Sequence, residues 1–158
     1  MASSLFWAPF VALLLAYHAV AAPCDIYAAA GTPCVGAFSL LRALRADYSG
    51  PLYVVRRATD NTTRAVPLLS PGGFVNASVQ DEFCVGTSCE VWKIVDQSLY
   101  SNDLSVAPPG GNRRHVDNGV NASALPMHMP DGSRAYGALF LKDAFQGYRI
   151  DITNGVAV

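Results

Sequence analysis

Carboxylates are the most numerous groups able to do acid–base chemistry in this sequence of 158 residues, with 12 Asp and Glu in all. Glu82 and Glu90 are its only glutamates. Two carboxylates facing each other, one of them kept protonated by its surroundings, could work as acid and base or nucleophile in a hydrolysis. Asp25, Asp47, Asp60, Asp131 and Asp151 neighbour turn residues, where Asp commonly serves backbone hydrogen bonding. Asp96 is different, because it directly follows an apolar run. It is read as a structural acceptor for loop amides in preference to a site residue. The histidines are His18, His115 and His128, the last two in expected loops, and no G-x-S-x-G elbow accompanies them. His128 between Met127 and Met129 could suggest a copper patch, but packing between two flexible thioethers is the preferred reading. Gly72-Gly73 and Gly110-Gly111 lack the spacing of phosphate loops and read as turns. On residue types alone, no catalytic residue, metal ligand or cofactor-binding residue is assigned.

The other reactive groups concern compartment and stability. Cys24 and Cys34 form one close pair and Cys84 and Cys89 another. An even count in an exported chain favours disulfides. Four cysteines allow three pairings. Local pairing is the economical choice, since each pair brackets a turn, Gly31-Thr32-Pro33 and Gly86-Thr87-Ser88. A four-cysteine zinc site lacks its usual C-x-x-C spacing here. A local bridge would contribute about 2–3 kcal/mol. Export itself is read from Leu5 to Tyr17, an uncharged apolar run followed by Ala19-Val20-Ala21. The run is shorter than the roughly 20 residues of a membrane span, so residues 1–21 are expected to be a signal peptide cut after Ala21. The sequons at Asn61, Asn76 and Asn121 suit the same route and are candidate glycosylation sites. The net charge of −1 gives no reason to expect nucleic acid or, after leader removal, a membrane as partner.

These groups must be positioned by short elements. Phe38, Leu41, Leu44 and Tyr48 recur at helical spacing, which predicts a short amphipathic helix ended by Ser49-Gly50-Pro51. Residues 52–57 read as a strand, Asp60 to Thr63 as a turn, and Val66 to Leu69 as a returning strand. Ser78-Val79-Gln80-Asp81 has the pattern of a capping box opening one helical turn through Phe83. Glu90 to Val95 is the clearest strand and is expected to be buried on both faces. Pro108 to Gly111 breaks the chain, and Ala135 to Leu141 reads as a last strand. With 13 Gly, 10 Pro and no alternating βα units, this predicts an all-β jelly-roll sandwich, incomplete, with one or two short helices.

Taken in order, the local strings resemble the start of the glycoside hydrolase family 54 α-L-arabinofuranosidases. The likeness begins with Cys24-Asp25-Ile26-Tyr27 and Gly31-Thr32-Pro33-Cys34, then Arg42-Ala43-Leu44, Leu52-Tyr53 and Pro67-Leu68. It continues through Gln80-Asp81, Phe83-Cys84, Gly86-Thr87, Cys89, Asp96-Gln97-Ser98, Ala107 to Gly111, Ala135-Tyr136-Gly137 and Gly147-Tyr148-Arg149. The resemblance implies a concanavalin/laminin-G-like jelly roll, with residues 22–158 as the N-terminal portion of the catalytic domain. It implies bridges Cys24–Cys34 and Cys84–Cys89. It further implies a monomer, without cofactor, that removes terminal arabinofuranosyl groups from plant or algal polysaccharides with retention, using a Glu nucleophile and an Asp acid/base. Both of those residues are expected further along than Val158, so neither role passes to Glu82 or Glu90.

Overall fold

The computed structural model describes residues 21–110 and 114–156. The expected leader up to Val20, together with Gly111 and Val158, lies outside them.

Tyr53, Val54 and Val55 favour extended backbone, and they open strand β1 (Tyr53–Arg57). Asp60 accepts hydrogen bonds from the Thr62 amide at 3.0 Å and its hydroxyl at 2.7 Å, and Asn61 takes a positive φ of 57°. This tight turn returns the chain at once as β2 (Thr63–Val66), with Arg56 opposite Thr63. The returning strand is therefore three residues earlier at its start than the expected Val66 to Leu69, and it stops before Pro67, which has no amide to donate. β3 (Cys89–Ile94) lies against the other side of β1, with a bulge between Val54 and Val55. β4 (Leu104–Val106) and β7 (Tyr148–Arg149) complete a five-stranded antiparallel sheet in the order β2-β1-β3-β4-β7. β5 (Leu125–His128) and β6 (Arg134–Gly137) form a second, two-stranded antiparallel sheet. Among the described residues two short helices, α1 (Pro23–Ala29) and α2 (Ala77–Phe83), accompany the sheets. The all-β class is as expected.

One face of the large sheet makes the core. Tyr53, Val55, Val66, Cys89 and Val91 pack there with Leu40, Leu52, Val75, Val120, Ala122 and Ala135. The opposite face holds Arg56, Glu90, Trp92 and Lys93, all half-buried. β3 is thus covered on one side among the described residues, not on both. Polar groups that enter the core are paired. The Tyr53 hydroxyl donates to Gln80 Oε1 at 2.8 Å, and Gln80 Nε2 donates to the Ala122 carbonyl at 2.9 Å. Gln80 is fully buried, so α2 is pinned to β1 and to residue 122 through one satisfied carboxamide.

Three expectations give way to longer-range contacts. Residues 38–48 form no helix, and their backbone groups are committed elsewhere. The Leu41 and Arg42 amides donate to Ser39 Oγ, Ala43 donates to Gly73, Leu44 to Gln97 Oε1, and Ala46 to Asp25 Oδ2. Leu40 and Ala43, off the apolar stripe, are the buried residues. The capping box also does not close. Asn76 occupies the cap position, and Ser78 Oγ donates to Asn76 Oδ1 at 2.6 Å. Asp81 instead accepts from the Tyr136 hydroxyl at 2.6 Å and from Arg134 at 3.2 Å. β6 stops at Gly137 because its partner begins opposite, at Leu125. Leu139, Phe140 and Leu141 run on exposed. His128 falls in β5, opposite Arg134, rather than in a loop. Pro126 is tolerated there because a two-stranded sheet consists of edges.

Tyr53→Phe should lower stability by about 1–2 kcal/mol, because it leaves the buried Gln80 acceptor without a donor. Urea unfolding of the two proteins checks this; an unchanged midpoint would show that the Tyr53–Gln80 bond contributes nothing.

Candidate functional site

β1 and β3 set Arg56 directly opposite Glu90 on the half-exposed face. Arg56 Nε donates to Glu90 Oε1 at 2.8 Å, and Nη2 donates to the same oxygen. The guanidinium carbon lies 3.5 Å from the centre of the Trp92 ring, a cation–π contact that flattens it onto the sheet. Glu90 Oε2 accepts the Gly119 amide at 3.1 Å. A Cβ at Gly119 would stand 2.6 Å from the Val91 carbonyl oxygen, so this close approach requires glycine. Both oxygens of Glu90 are therefore occupied by donors.

This pair forms the floor of a polar cleft of about 340 Å³, whose walls include Arg57, Asn61, Asn121 and Gln146. Arg57 Nη1 reaches Asp60 at 3.8 Å, and its Nε is buried without a hydrogen-bond partner among the described residues. Among the described residues, Glu90 is the one carboxylate lining the cleft. With its charge matched by Arg56 and no second acid facing it, the cleft suits hydrogen bonding to an uncharged polar group rather than proton transfer.

A second hollow, of about 350 Å³ beside α1, is lined by Asp25, Asp47, Arg45 and Tyr100 among others. Its two carboxylates are both engaged. Asp25 accepts the Ala46 amide at 2.9 Å, and Asp47 pairs with Arg45 at 2.7 Å with its side chain 70% exposed.

Asp96 is the most heavily bonded carboxylate in the fold. Oδ1 accepts from the Ala37 amide at 2.7 Å and the Ser98 amide at 2.9 Å. Oδ2 accepts from the Ser98 hydroxyl at 2.6 Å and the Asn102 amide at 2.8 Å. Burial works to raise its pKa, but the Ser98 hydroxyl and the Ser98, Asn102 and Ala37 amides together outweigh it and hold the carboxyl below its ordinary range. All its donors are structural, which leaves no lone pair for a substrate.

The remaining expected residues are dispersed. Cys24 is bonded to Cys34 and Cys84 to Cys89, so the thiolates a zinc site would need are absent among the described residues. No group of three or more His, Cys, Asp or Glu among the described residues could hold a metal. Glu82 and His115 are exposed. Asn61, Cys89, Glu90 and Asn121 meet at the cleft, while Asn76 lines a separate hollow with Asp81 and Arg134. Sequence reasoning missed the Arg56–Glu90 pair, because its register across two strands depends on the bulge at Val54. No helix among the described residues is long and apolar enough to cross a membrane.

Because the native Asp96 carboxyl is held below its unfolded value of about 3.9, it stabilises the fold above that pH. The contribution is lost as pH falls through the lowered native pKa. Asp96→Asn should destabilise the protein at pH 7, with the gap to the unsubstituted protein narrowing below about pH 4. Thermal melts at pH 7 and pH 3 measure this, and a gap that stays constant would contradict it.

Comparison with known proteins gives a consistent picture. The family described as Alpha-L-arabinofuranosidase B, catalytic, matches residues 23–158. The sequence is 46% identical over 141 residues to a probable alpha-L-arabinofuranosidase B of Aspergillus fumigatus, covering 87% of this chain and 28% of that protein. It is 44% identical over 140 residues to an alpha-L-arabinofuranosidase of Hypocrea jecorina, covering 87% and 27% respectively. A crystal structure of arabinofuranosidase complexed with arabinofuranosyl-alpha-1,2-xylobiose superposes with a TM-score of 0.80 at 41% identity, over 86% of this chain and 28% of that one. A GH54 arabinofuranosidase soaked with a cyclic sulfate inhibitor gives a TM-score of 0.79, also at 41% identity and over 86% and 28% of the two chains. The chain thus spans 27–28% of the length of these curated relatives.

Proposed function

The chain belongs to the α-L-arabinofuranosidase B catalytic family, glycoside hydrolase family 54, and from that membership we propose that it is the N-terminal portion of an exported enzyme of this kind. In this reading residues 1–21 are the leader, and residues 22–158 supply the first part of the catalytic jelly roll. The whole enzyme would hydrolyse terminal α-L-arabinofuranosyl groups of arabinoxylan or arabinan, with retention, as an extracellular monomer.

The observation that carries this reading is the family match across residues 23–158, accompanied by superposition at a TM-score of 0.80. Two disulfides fit an oxidising compartment. What this portion contributes is scaffold. Retaining hydrolysis requires two carboxyl groups only about 5–5.5 Å apart, one of them poised as an acid. Glu90 is neutralised by Arg56, Asp96 is saturated by four donors, and Asp25 and Asp47 hold backbone and Arg45. None is offered to a sugar as an opposed pair, so these residues leave catalysis to others.

A second reading, a non-catalytic carbohydrate-binding or wall-associated module, draws on one observation: the open sheet face places Trp92 and Arg56 together beside a polar cleft. Aromatic rings suit the apolar faces of sugars.

The purified chain should release no p-nitrophenol from the α-L-arabinofuranoside above the buffer rate, and arabinoxylan should give no saturable heat in calorimetry. Turnover proportional to protein concentration would overturn the scaffold reading. Saturable heat without turnover would select the binding module.

A further inference from the structure

The fold treats the three sequon asparagines differently. Asn61 and Asn121 are exposed and line the same cleft, with Arg57, Glu90 and Gln146. Asn121 forms a bridge with Glu90, so its side chain starts beside the cleft floor. Its Oδ1 accepts the Ser123 amide at 2.9 Å. That bond fixes the carboxamide and leaves Nδ2, the atom to which a glycan is joined, without a protein partner among the described residues. Asn76 is only half-buried but lies elsewhere, and its Oδ1 accepts the hydroxyl of Ser78, the third residue of its own sequon.

The cleft has the size and the chemistry for one uncharged sugar residue. Its volume of about 340 Å³ accommodates a single pyranose ring with a few waters. Glu90 disfavours an anion there, while Arg56 and Arg57 disfavour a cation. Arg57 also lines the cleft. Sugar hydroxyls can both donate and accept, which suits the Asn61 carboxamide and the Ser88 hydroxyl among the lining groups.

We propose that Asn121 carries an N-linked glycan whose first N-acetylglucosamine occupies this cleft. The inference rests on the exported reading, since the modification belongs to the secretory route. The donor is an oligosaccharide joined to a lipid pyrophosphate. A bond forms between Asn121 Nδ2 and C1 of the sugar, the bond from C1 to the pyrophosphate oxygen breaks, and the lipid pyrophosphate leaves with the electron pair. The amide nitrogen gives up one proton to the transferring enzyme. The attached residue is then tethered at the cleft wall, so its ordering entropy is small and its burial stabilises the sheet's polar face.

The test secretes the full chain from a eukaryotic host and maps modified peptides by mass. Thermal unfolding is then compared for three forms: fully glycosylated, trimmed to the first N-acetylglucosamine, and stripped by an amidase. Asn121 should be modified, and the trimmed form should melt with the full one. The stripped form and Asn121→Gln should melt roughly 3 °C lower; the variant controls for the aspartate that stripping creates. An exported protein with Asn121 bare, or a stripped form that melts like the trimmed one, would overturn the proposal. Arabinoxylan fragments bound by the stripped protein, but not by its Arg57→Ala variant, would assign the cleft to a free sugar and overturn it as well. A protein retained unmodified inside the cell would overturn the exported reading and this one with it. Its location separates that failure from the others.

Discussion

The fold depends on one buried polar junction. Asp96, Gln97 and Asn102 are each 5% exposed or less, and together they hold the irregular segments against the end of β3. Asp96 fixes Ala37, Ser98 and Asn102. Gln97 accepts the Leu44 amide at 2.6 Å and donates to the Arg42 carbonyl at 3.3 Å. Asn102 donates to the Val35 carbonyl at 2.6 Å and exchanges hydrogen bonds with the Asn154 backbone at 3.1 and 2.8 Å. A loop that runs into the interior brings backbone amides and carbonyls that must find partners, and short strands alone cannot supply them. Three side chains with several acceptors and donors each meet that demand. Removing one would strand several groups at once, so the junction is worth more than any single bond in it.

The same logic separates structural from reactive carboxylates. A catalytic acid is left under-bonded so that its proton has somewhere useful to go, whereas Asp96 is over-supplied with donors and stays ionised. Glu90 is quieted differently, by a cation held flat on Trp92 and by a backbone amide. Both arrangements stiffen a β-framework. They fit a framework role within the α-L-arabinofuranosidase B family to which the chain belongs.

Much of this was legible in the residues, and the losses have physical causes. Strands β1 and β3 were marked by runs of β-branched and aromatic residues, and α2 by its position before the Gly86 turn. The Asp96 acceptor role followed from a carboxylate abutting an apolar strand. The helix expected at 38–48 failed because periodicity reports only a pattern of side chains. It cannot register that Gln97, Gly73 and Asp25, each distant in sequence, compete for those amides. The Ser78 capping pattern failed because Asp81 has stronger partners in Tyr136 and Arg134, on a strand that is remote in sequence. Strand β5 escaped notice because Pro126 argues against a strand and the edge position that excuses it is a tertiary fact. The cleft depends on register, which a one-residue bulge can reverse.

The junction also has a kinetic side. Its partners run from Val35 to Asn154, so the last of its bonds waits until almost the whole stretch has left the ribosome. The Cys84–Cys89 loop and the β1–β2 hairpin, by contrast, need only neighbours and can settle early. During synthesis the chain would pass through a stage with a local hairpin in place and the 35–46 segment still loose. Chaperone dependence should therefore be concentrated in that interval, when apolar Leu40 and Leu52 have no cover.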